Sequence, residues 1–316
     1  MPTYNSVISR SDTGGALIPE PVANEIIQET PKSSVILERA QRVPMSSKTL
    51  KQPVLTSLPE AYWVNGDTGL KQTTKSDWDN VVMTAEEVAA LVPIPDAVVD
   101  DTNVPLWDQV RPLLVEAIGK LVDLAAVWGL GKPTSWPTAI VPGAIAAGNT
   151  VEAGTGADYG VDVAALAGQV AEDGFAVNGF ASRPGLQWRL VGLRSEQGVP
   201  IYTPSLSAGA PSGLYGYPLN EVVNGSWQGE VADLIAADWS KFAVGIRQDI
   251  TFKMLDQAVI TDDDGRVIFN APQQDSQIMR VVMRVGFQIA NPLTRIGDGN
   301  RYPAGVLTPA TTTPEG

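Results

Sequence analysis

A chain of 316 residues with 22 Lys and Arg, 35 Asp and Glu, no histidine and no cysteine excludes mechanisms that need an imidazole or a thiol, including Ser-His-Asp hydrolysis, disulfides, iron–sulfur clusters and Cys-type zinc sites. The net charge of −13, with no cluster of Lys and Arg, argues against a protein that grips nucleic acid from outside. With 44% hydrophobic and 18% charged residues, the chain can bury a real core as one large domain or two joined ones. Its 30 Gly and 24 Pro imply many turns. Carboxylate chemistry, Lys chemistry, oxygen-ligated Ca²⁺ or Mg²⁺, or no chemistry at all remain.

The opening MPTYNSVISRSDTGG lacks the apolar stretch of a secretory signal, and nothing approaches the ~20 apolar residues of a membrane span, so the reading is a protein made and used in a soluble compartment. Residues 1–35 are expected to form an extended arm. Its short helical candidate, Pro19 to Glu29, carries Val22, Ile26 and Ile27 and cannot bury them alone. Ser34, Val35, Leu37, Ala40 and Val43 lead into the body of the fold.

From Ser46 to Asp79 the composition turns to Thr, Ser, Lys and Pro, with a turn signal at Asn65-Gly66-Asp67-Thr68-Gly69 between two extended runs. A long two-stranded excursion is predicted. Tyr62 and Trp63 lie before its tip and Trp78 near its base. Isolated hairpins are barely stable in water, so this one is expected to pack on another chain.

Leu106, Val110, Leu113, Ala117, Leu121, Leu124 and Trp128 recur at spacings of four and three and predict one long helix over 104–128, kinked at Pro112 and stopped by Gly129, Gly131 and Pro133. From Ile140 to Gln257 helical and strand-like segments alternate as in an α/β lobe. Val163, Leu166, Ala167, Val170 and Ala171 mark one helix, and Ser182-Arg183-Pro184 opens a second that Gly198 ends. Phe242 to Ile246 and Ile250 to Phe252 read as strands, Val259 to Phe269 as a hairpin, and Gln277 to Ile289 as a final long strand. After Tyr302 the chain reads as a Pro/Thr/Gly tail with no folding signal.

None of the short motifs amounts to a site. Asp262-Asp263-Asp264-Gly265 lacks the alternating ligands and closing Glu of a calcium loop and reads as an acidic turn. Gly129-Leu130-Gly131-Lys132 lacks the Ser or Thr of a phosphate loop and follows a helix, so it reads as a helix stop. Gly154-Thr155-Gly156 with Gly160 fails the dinucleotide spacing. Glu86-Glu87 and Asp100-Asp101 read as solvated edges or caps, and Lys51, Lys71 and Lys75 as a basic loop that complements an acidic neighbour. The eight tryptophans are scattered, which suits core and interface packing.

The order of segments is more telling. Gly14-Gly15-Ala16-Leu17-Ile18-Pro19, then Ile26-Ile27 and Ser34-Val35-Ile36-Leu37, resembles the N-terminal arm of tailed-phage major capsid proteins of the Hong Kong 97 type. Pro53 to Asp79 is similar to the extended loop of that family, and Asp77-Trp78-Asp79 to Ala90-Leu91-Val92-Pro93-Ile94 to its return strand. Asp100 to Trp128 resembles the spine helix and Gly129-Leu130-Gly131-Lys132-Pro133 the turn that ends it. Arg183-Pro184 to Gly198 and Tyr217-Pro218-Leu219 resemble parts of the axial domain, and Trp239 to Ile250 with Ile278 to Pro292 resembles the return to the peripheral domain.

The resemblance implies an α+β fold of the Hong Kong 97 type. Its parts would be an arm over 1–35, an extended loop over 46–80, a peripheral domain over 36–45, 81–138 and 258–302 with the spine helix at 104–128, an axial domain over 139–257, and a tail over 303–316. It implies a non-enzymatic major capsid protein without cofactor or metal, whose hexamers and pentamers close as an icosahedral head around double-stranded DNA held without sequence-specific binding. A separate scaffolding protein, a portal and a decoration protein are the implied partners, assembly would take place in the host cytoplasm, and no membrane is involved. Intersubunit contacts are expected at Tyr62, Trp63, Lys71, Lys75, Ile18 and Ile26. Lys71 or Lys75 would occupy the position from which the founding member crosslinks subunits, but no local motif supplies the Asn and Glu, and no crosslink is predicted. An encapsulin-like compartment and a carboxylate-dependent carbohydrate-active or carbohydrate-binding protein are the competing readings.

Overall fold

The computed structural model describes residues 34–55, 61–64, 71, 73–74, 78–101, 105–192, 213–289 and 301–310. In chain order, α1 (Val35–Arg39) leads into β1 (Gln41–Pro44), β2 (Thr49–Leu55), β3 (Trp78–Thr84) and β4 (Glu86–Pro95). The helices α2 (Asp96–Asp100) and α3 (Leu106–Asp123) follow, and a π-helical turn, Leu124–Trp128, extends α3. Then come α4 (Ile140–Ala147), β5 (Thr150–Glu152), α5 (Tyr159–Glu172), β6 (Gly179–Ser182) and α6 (Leu186–Val191). The remainder is strands: β7 (Gly213–Leu214), β8 (Tyr217–Glu221), β9 (Leu234–Ala237), β10 (Phe242–Leu255), β11 (Val259–Thr261), β12 (Val267–Asn270), β13 (Ser276–Ile289) and β14 (Ala304–Thr308).

Two compact units emerge. One holds Glu86–Gly119 and Gln248–Val285, the other Ser33–Ala85, Lys120–Arg247 and Gly286–Gly316, so the chain passes between them inside α3, β10 and β13. In the first unit β4 and β13 pair antiparallel from Glu86 opposite Val285 to Pro95 opposite Ser276. Arg284 meets Glu87 across this pair at 2.8 Å, which places one of the adjacent acids in an exposed ion pair on a sheet edge. The hairpin β11–β12 closes at Asp262, whose carboxylate accepts the backbone N–H groups of Asp264 and Arg266. The acidic run is thus held as a turn.

The second unit is built on a six-stranded mixed sheet in the order β5-β14-β9-β6-β8-β7. Asp158 caps α5 by accepting the Val161 N–H. The apolar face of α5, Val163, Leu166 and Val170, packs with Phe180, Leu186, Leu190, Leu234 and Leu307 into one core. The glycine-rich loop before α5 wraps the buried Asp162, which accepts the N–H groups of Gly154 at 2.7 Å and Gly156 at 2.6 Å and the Thr155 hydroxyl at 3.1 Å. A Cβ at Gly156 would lie 2.7 Å from that carboxylate. The loop therefore wraps a carboxyl group that the chain itself supplies.

Three expectations change. The C-terminal segment is not a featureless tail: Ala304–Thr308 forms β14, buried between β5, which it joins in parallel, and β9, which it joins antiparallel. Flanking prolines and only five residues hid it, because a strand buried on both faces shows no alternation. The buried side of α3 is Leu114, Ile118 and Val122, while Leu113 and Leu121 are exposed. The helix is apolar on several faces, so periodicity alone did not select the inner one. Phe242–Leu255 is one continuous strand where two were expected. By contrast, Gly129 caps the helix in the left-handed conformation at φ 78°, Pro112 lies inside α3, and β13 runs the length foreseen for it.

Candidate interaction surface

The excursion is rooted firmly and ends exposed. β2 and β3 pair from Thr49 opposite Thr84 to Leu55 opposite Trp78. At the root, Met45, Met83, Ala85 and Ala243 form a buried cluster with Val43 and Leu50 against it. The Ala85 N–H donates to Lys48 O at 2.8 Å, and the Gln288 side-chain amide donates to Val82 O at 2.9 Å.

The root depends on close approach at glycine. A Cβ on Gly286 would sit 2.8 Å from the carbonyl oxygen of Thr84 and 3.1 Å from its carbon, and backbone cannot rotate away as a side chain can. Gly286→Ala is expected to cost about 1–3 kcal/mol through overpacking, read as a lower denaturation midpoint with unchanged slope.

Farther out, Tyr62 and Val64 are exposed and Trp63 is 98% exposed. An indole so exposed is a large apolar group held in water. Lys71 is exposed. Lys75, Ile18 and Ile26 lie outside the described residues, so of the six contact residues foreseen, Tyr62, Trp63 and Lys71 fall within them.

Sequence reasoning missed a second feature of the same unit. Asp123, at the end of α3, is buried and gathers four donors: the Ser34 hydroxyl at 2.6 Å, the Val35 and Ile36 N–H groups at 3.2 Å each, and the Asn224 amide at 2.6 Å. Asn224 in turn accepts from the Ser226 N–H and hydroxyl. Asp123 therefore satisfies the free N–H groups at the start of α1 from a distant part of the chain. Burial pushes its carboxyl above the ordinary range, against the opposing pull of the donors from Ser34, Asn224, Ile36 and Val35. The only signal was a lone acid inside the apolar run Leu121-Val122-Asp123-Leu124-Ala125.

Among the described residues no group of three or more Asp and Glu is placed to hold a metal ion, and no helix is long and apolar enough to cross a membrane. The described residues of this region are thus a fixed root, an exposed Tyr62-Trp63-Val64 segment, and a chain entry held by a buried carboxylate.

Residues 14–293 match the model of the phage capsid family. The major capsid protein of Staphylococcus phage 80alpha is 24% identical over 293 residues, an alignment that covers 91% of this chain and 86% of that protein. Among solved structures, a chain from Microbacterium phage Oxtober96 is 36% identical with a TM-score of 0.82, covering 95% of this chain and 99% of its own. One from Mycobacterium phage Cain is 32% identical with a TM-score of 0.82, covering 97% and 99%. With the match spanning both units and nearly the full length, the chain belongs to the phage capsid family.

Proposed function

We infer that this chain is a major capsid protein of a tailed phage, a structural component of the virion that assembles into hexamers and pentamers of an icosahedral head. The observation that carries the reading is the match of residues 14–293 to the phage capsid family, supported by an end-to-end match to a phage chain at 36% identity and a TM-score of 0.82. The exposed Trp63 on a rigidly rooted hairpin agrees with it. Ring closure needs heterologous surfaces on each subunit, and once one edge is docked the next forms at high effective concentration.

Within that reading residues 46–80 serve as the extended loop, 104–128 as the Hong Kong 97-type spine helix with its kink at Pro112, and 139–257 as the axial domain. The chain performs no catalysis. A separate scaffolding protein, a portal and packaged double-stranded DNA are its partners, assembly occurs in the host cytoplasm, and the net charge of −13 keeps DNA from adhering to the inner wall.

Negative-stain microscopy and sedimentation of the purified chain under assembly conditions test this directly. Closed particles of several megadaltons are expected, and a monodisperse 33.5 kDa species would overturn the reading. DNA in particles recovered from infected cells separates a phage head from a cargo compartment. Trp63→Ala is expected to leave the subunit folded and to lower particle yield at least tenfold, roughly the ~1.4 kcal/mol per decade expected when an interface aromatic is truncated.

A further inference from the structure

Asn224, which donates to the buried Asp123, is followed by Gly225, and an Asn-Gly pair carries a chemistry of its own. With no Cβ on the second residue, its backbone nitrogen reaches the side-chain carbonyl carbon of the asparagine with little obstruction. The chain holds this pair at Asn65, Asn178 and Asn224. Attack by the Gly225 nitrogen on Asn224 Cγ forms a C–N bond and a cyclic imide, the Cγ–Nδ2 bond breaks, and the proton of the Gly225 N–H leaves with the amide group as ammonia. Water then opens the imide at Cγ or at the Asn224 main-chain carbonyl. Its oxygen enters the new carboxylate, one hydrogen returns to the Gly225 nitrogen and the other goes to solvent as a proton. The product is aspartate or isoaspartate, with a negative charge where a neutral amide stood.

The fold holds this reaction off. Asn224 is 5% exposed. Its Oδ1 accepts the Ser226 N–H at 3.0 Å and hydroxyl at 2.6 Å, and its Nδ2 donates to Asp123 at 2.6 Å. Ring closure expels that nitrogen, so it breaks the bond to Asp123 and disturbs both bonds to Ser226. Gly225 itself is exposed and sits in a loop outside every helix and strand, so a local opening is enough to free the pair. Asn178-Gly179 differs, because Gly179 lies in β6, between β8 and β9 of the six-stranded sheet, and reacts only when that sheet opens.

We propose that Asn224-Gly225 is a deamidation site, closed by Asp123 and Ser226 and reached by local opening, whose conversion loosens the start of α1. A carboxylate at position 224 would face Asp123 across a contact that is now a hydrogen bond of 2.6 Å, and two carboxylates so close do not both stay ionised. The Ser34 hydroxyl and the Val35 and Ile36 N–H groups depend on the same Asp123, so the repulsion passes to them. Lys120 brings a cation beside this loop, its Nζ 3.3 Å from where a Gly225 Cβ would lie. It is exposed, and solvent and salt screen what it offsets.

The full chain is incubated in heavy-oxygen water, in mildly alkaline native buffer and in the same buffer with urea, then digested and mapped by mass spectrometry. The Asn224 peptide is expected to gain heavy oxygen at least about tenfold more slowly in native buffer than in urea, yet faster than the Asn178 peptide of the same native sample. Equal Asn224 rates in the two buffers would overturn the closure by Asp123 and Ser226. A native Asn224 rate no greater than that of Asn178 would overturn the local opening, and no conversion of Asn224 even in urea would remove the site.

The consequence is tested with Asn224→Asp beside Asn224→Ser, which removes the amide without adding charge. Hydrogen exchange at the Val35 and Ile36 N–H groups is expected to be at least about tenfold faster in Asn224→Asp at neutral pH, with the difference closing in acid, where the two carboxyls share a proton. An Asn224→Asp chain that folds in acid and not at neutral pH, beside an Asn224→Ser chain that folds at both, supports the proposal equally. Equal exchange in the two variants at neutral pH would overturn the loosening of α1. Neither experiment depends on particle formation, so failure of the shell reading leaves both outcomes readable.

Discussion

A chain ended at Tyr302 is expected not to fold in its second unit, whereas one ended at Ala310 is expected to fold and assemble as the full chain does. Ending the chain at Tyr302 removes β14, which is hydrogen-bonded on both sides, to β5 and β9. It also removes Ala304, Val306 and Leu307, all buried. Burial of Val and Leu contributes roughly 1.5–3 kcal/mol each, and two strands would lose their shared partner. Together these losses approach the whole ~5–15 kcal/mol stability of a domain. Leu166 and Val170 of α5, which press against Gly305, would face water. Circular dichroism and solubility of the two truncations decide the point, and a soluble, cooperatively melting chain ended at Tyr302 would refute it.

The second large effect is expected at Asp123. Asp123→Ala leaves four donors, from Ser34, Val35, Ile36 and Asn224, without an acceptor in a dry site. The expected cost is about 3–5 kcal/mol, since an orphaned buried donor costs ~1–3 kcal/mol and water entering the gap recovers part of the sum. Asp123→Asn keeps one acceptor oxygen and is expected to cost about 2 kcal/mol.

The pH dependence gives an independent check. Burial raises the folded-state pKa above the ordinary 3.8, so the contribution of this group is fully present below that value and is lost as pH rises through the folded pKa. That falling component of the stability curve disappears in Asp123→Asn. Denaturant titrations of both proteins from pH 3 upward measure it, and parallel curves would show that the carboxyl is not perturbed.

Where residues announce structure locally, the sequence was readable. Asp262 to Gly265 is a turn because a carboxylate two positions back can accept its N–H groups, and Gly129 stops a helix because it tolerates positive φ. The Thr, Ser, Lys and Pro composition of the excursion and its Asn65-Gly66 turn signal foretold a two-stranded ribbon, and β2 with β3 pairs at its base. What was unreadable depends on residues far apart in the chain. Ser34 and Asn224 meet at Asp123 through tertiary structure alone. Which side of α3 is buried is decided by what surrounds it, and Leu113 and Leu114 look alike until that is known. Ala304 to Thr308 becomes a strand because β5 and β9 leave a gap for it. Tyr62 and Trp63, read as contact residues, are exposed, whereas an open groove lined by Trp128, Ile145 and Val231 had no sequence signal, since these are ordinary apolar residues until the fold brings them together.

The place of β14 also governs how the subunit comes into being. β14 is an interior strand of the six-stranded sheet, and its parallel neighbour β5 lies far before it in the chain. Long-range pairing of this kind is slow because the loop must close before any contact rewards it. Until it does, β5 and β9 offer open edges to other nascent copies, the condition under which strands add to the wrong chain. Closure of β14 between β5 and β9 is therefore a step of subunit folding at which pairing with another copy competes with the native sheet.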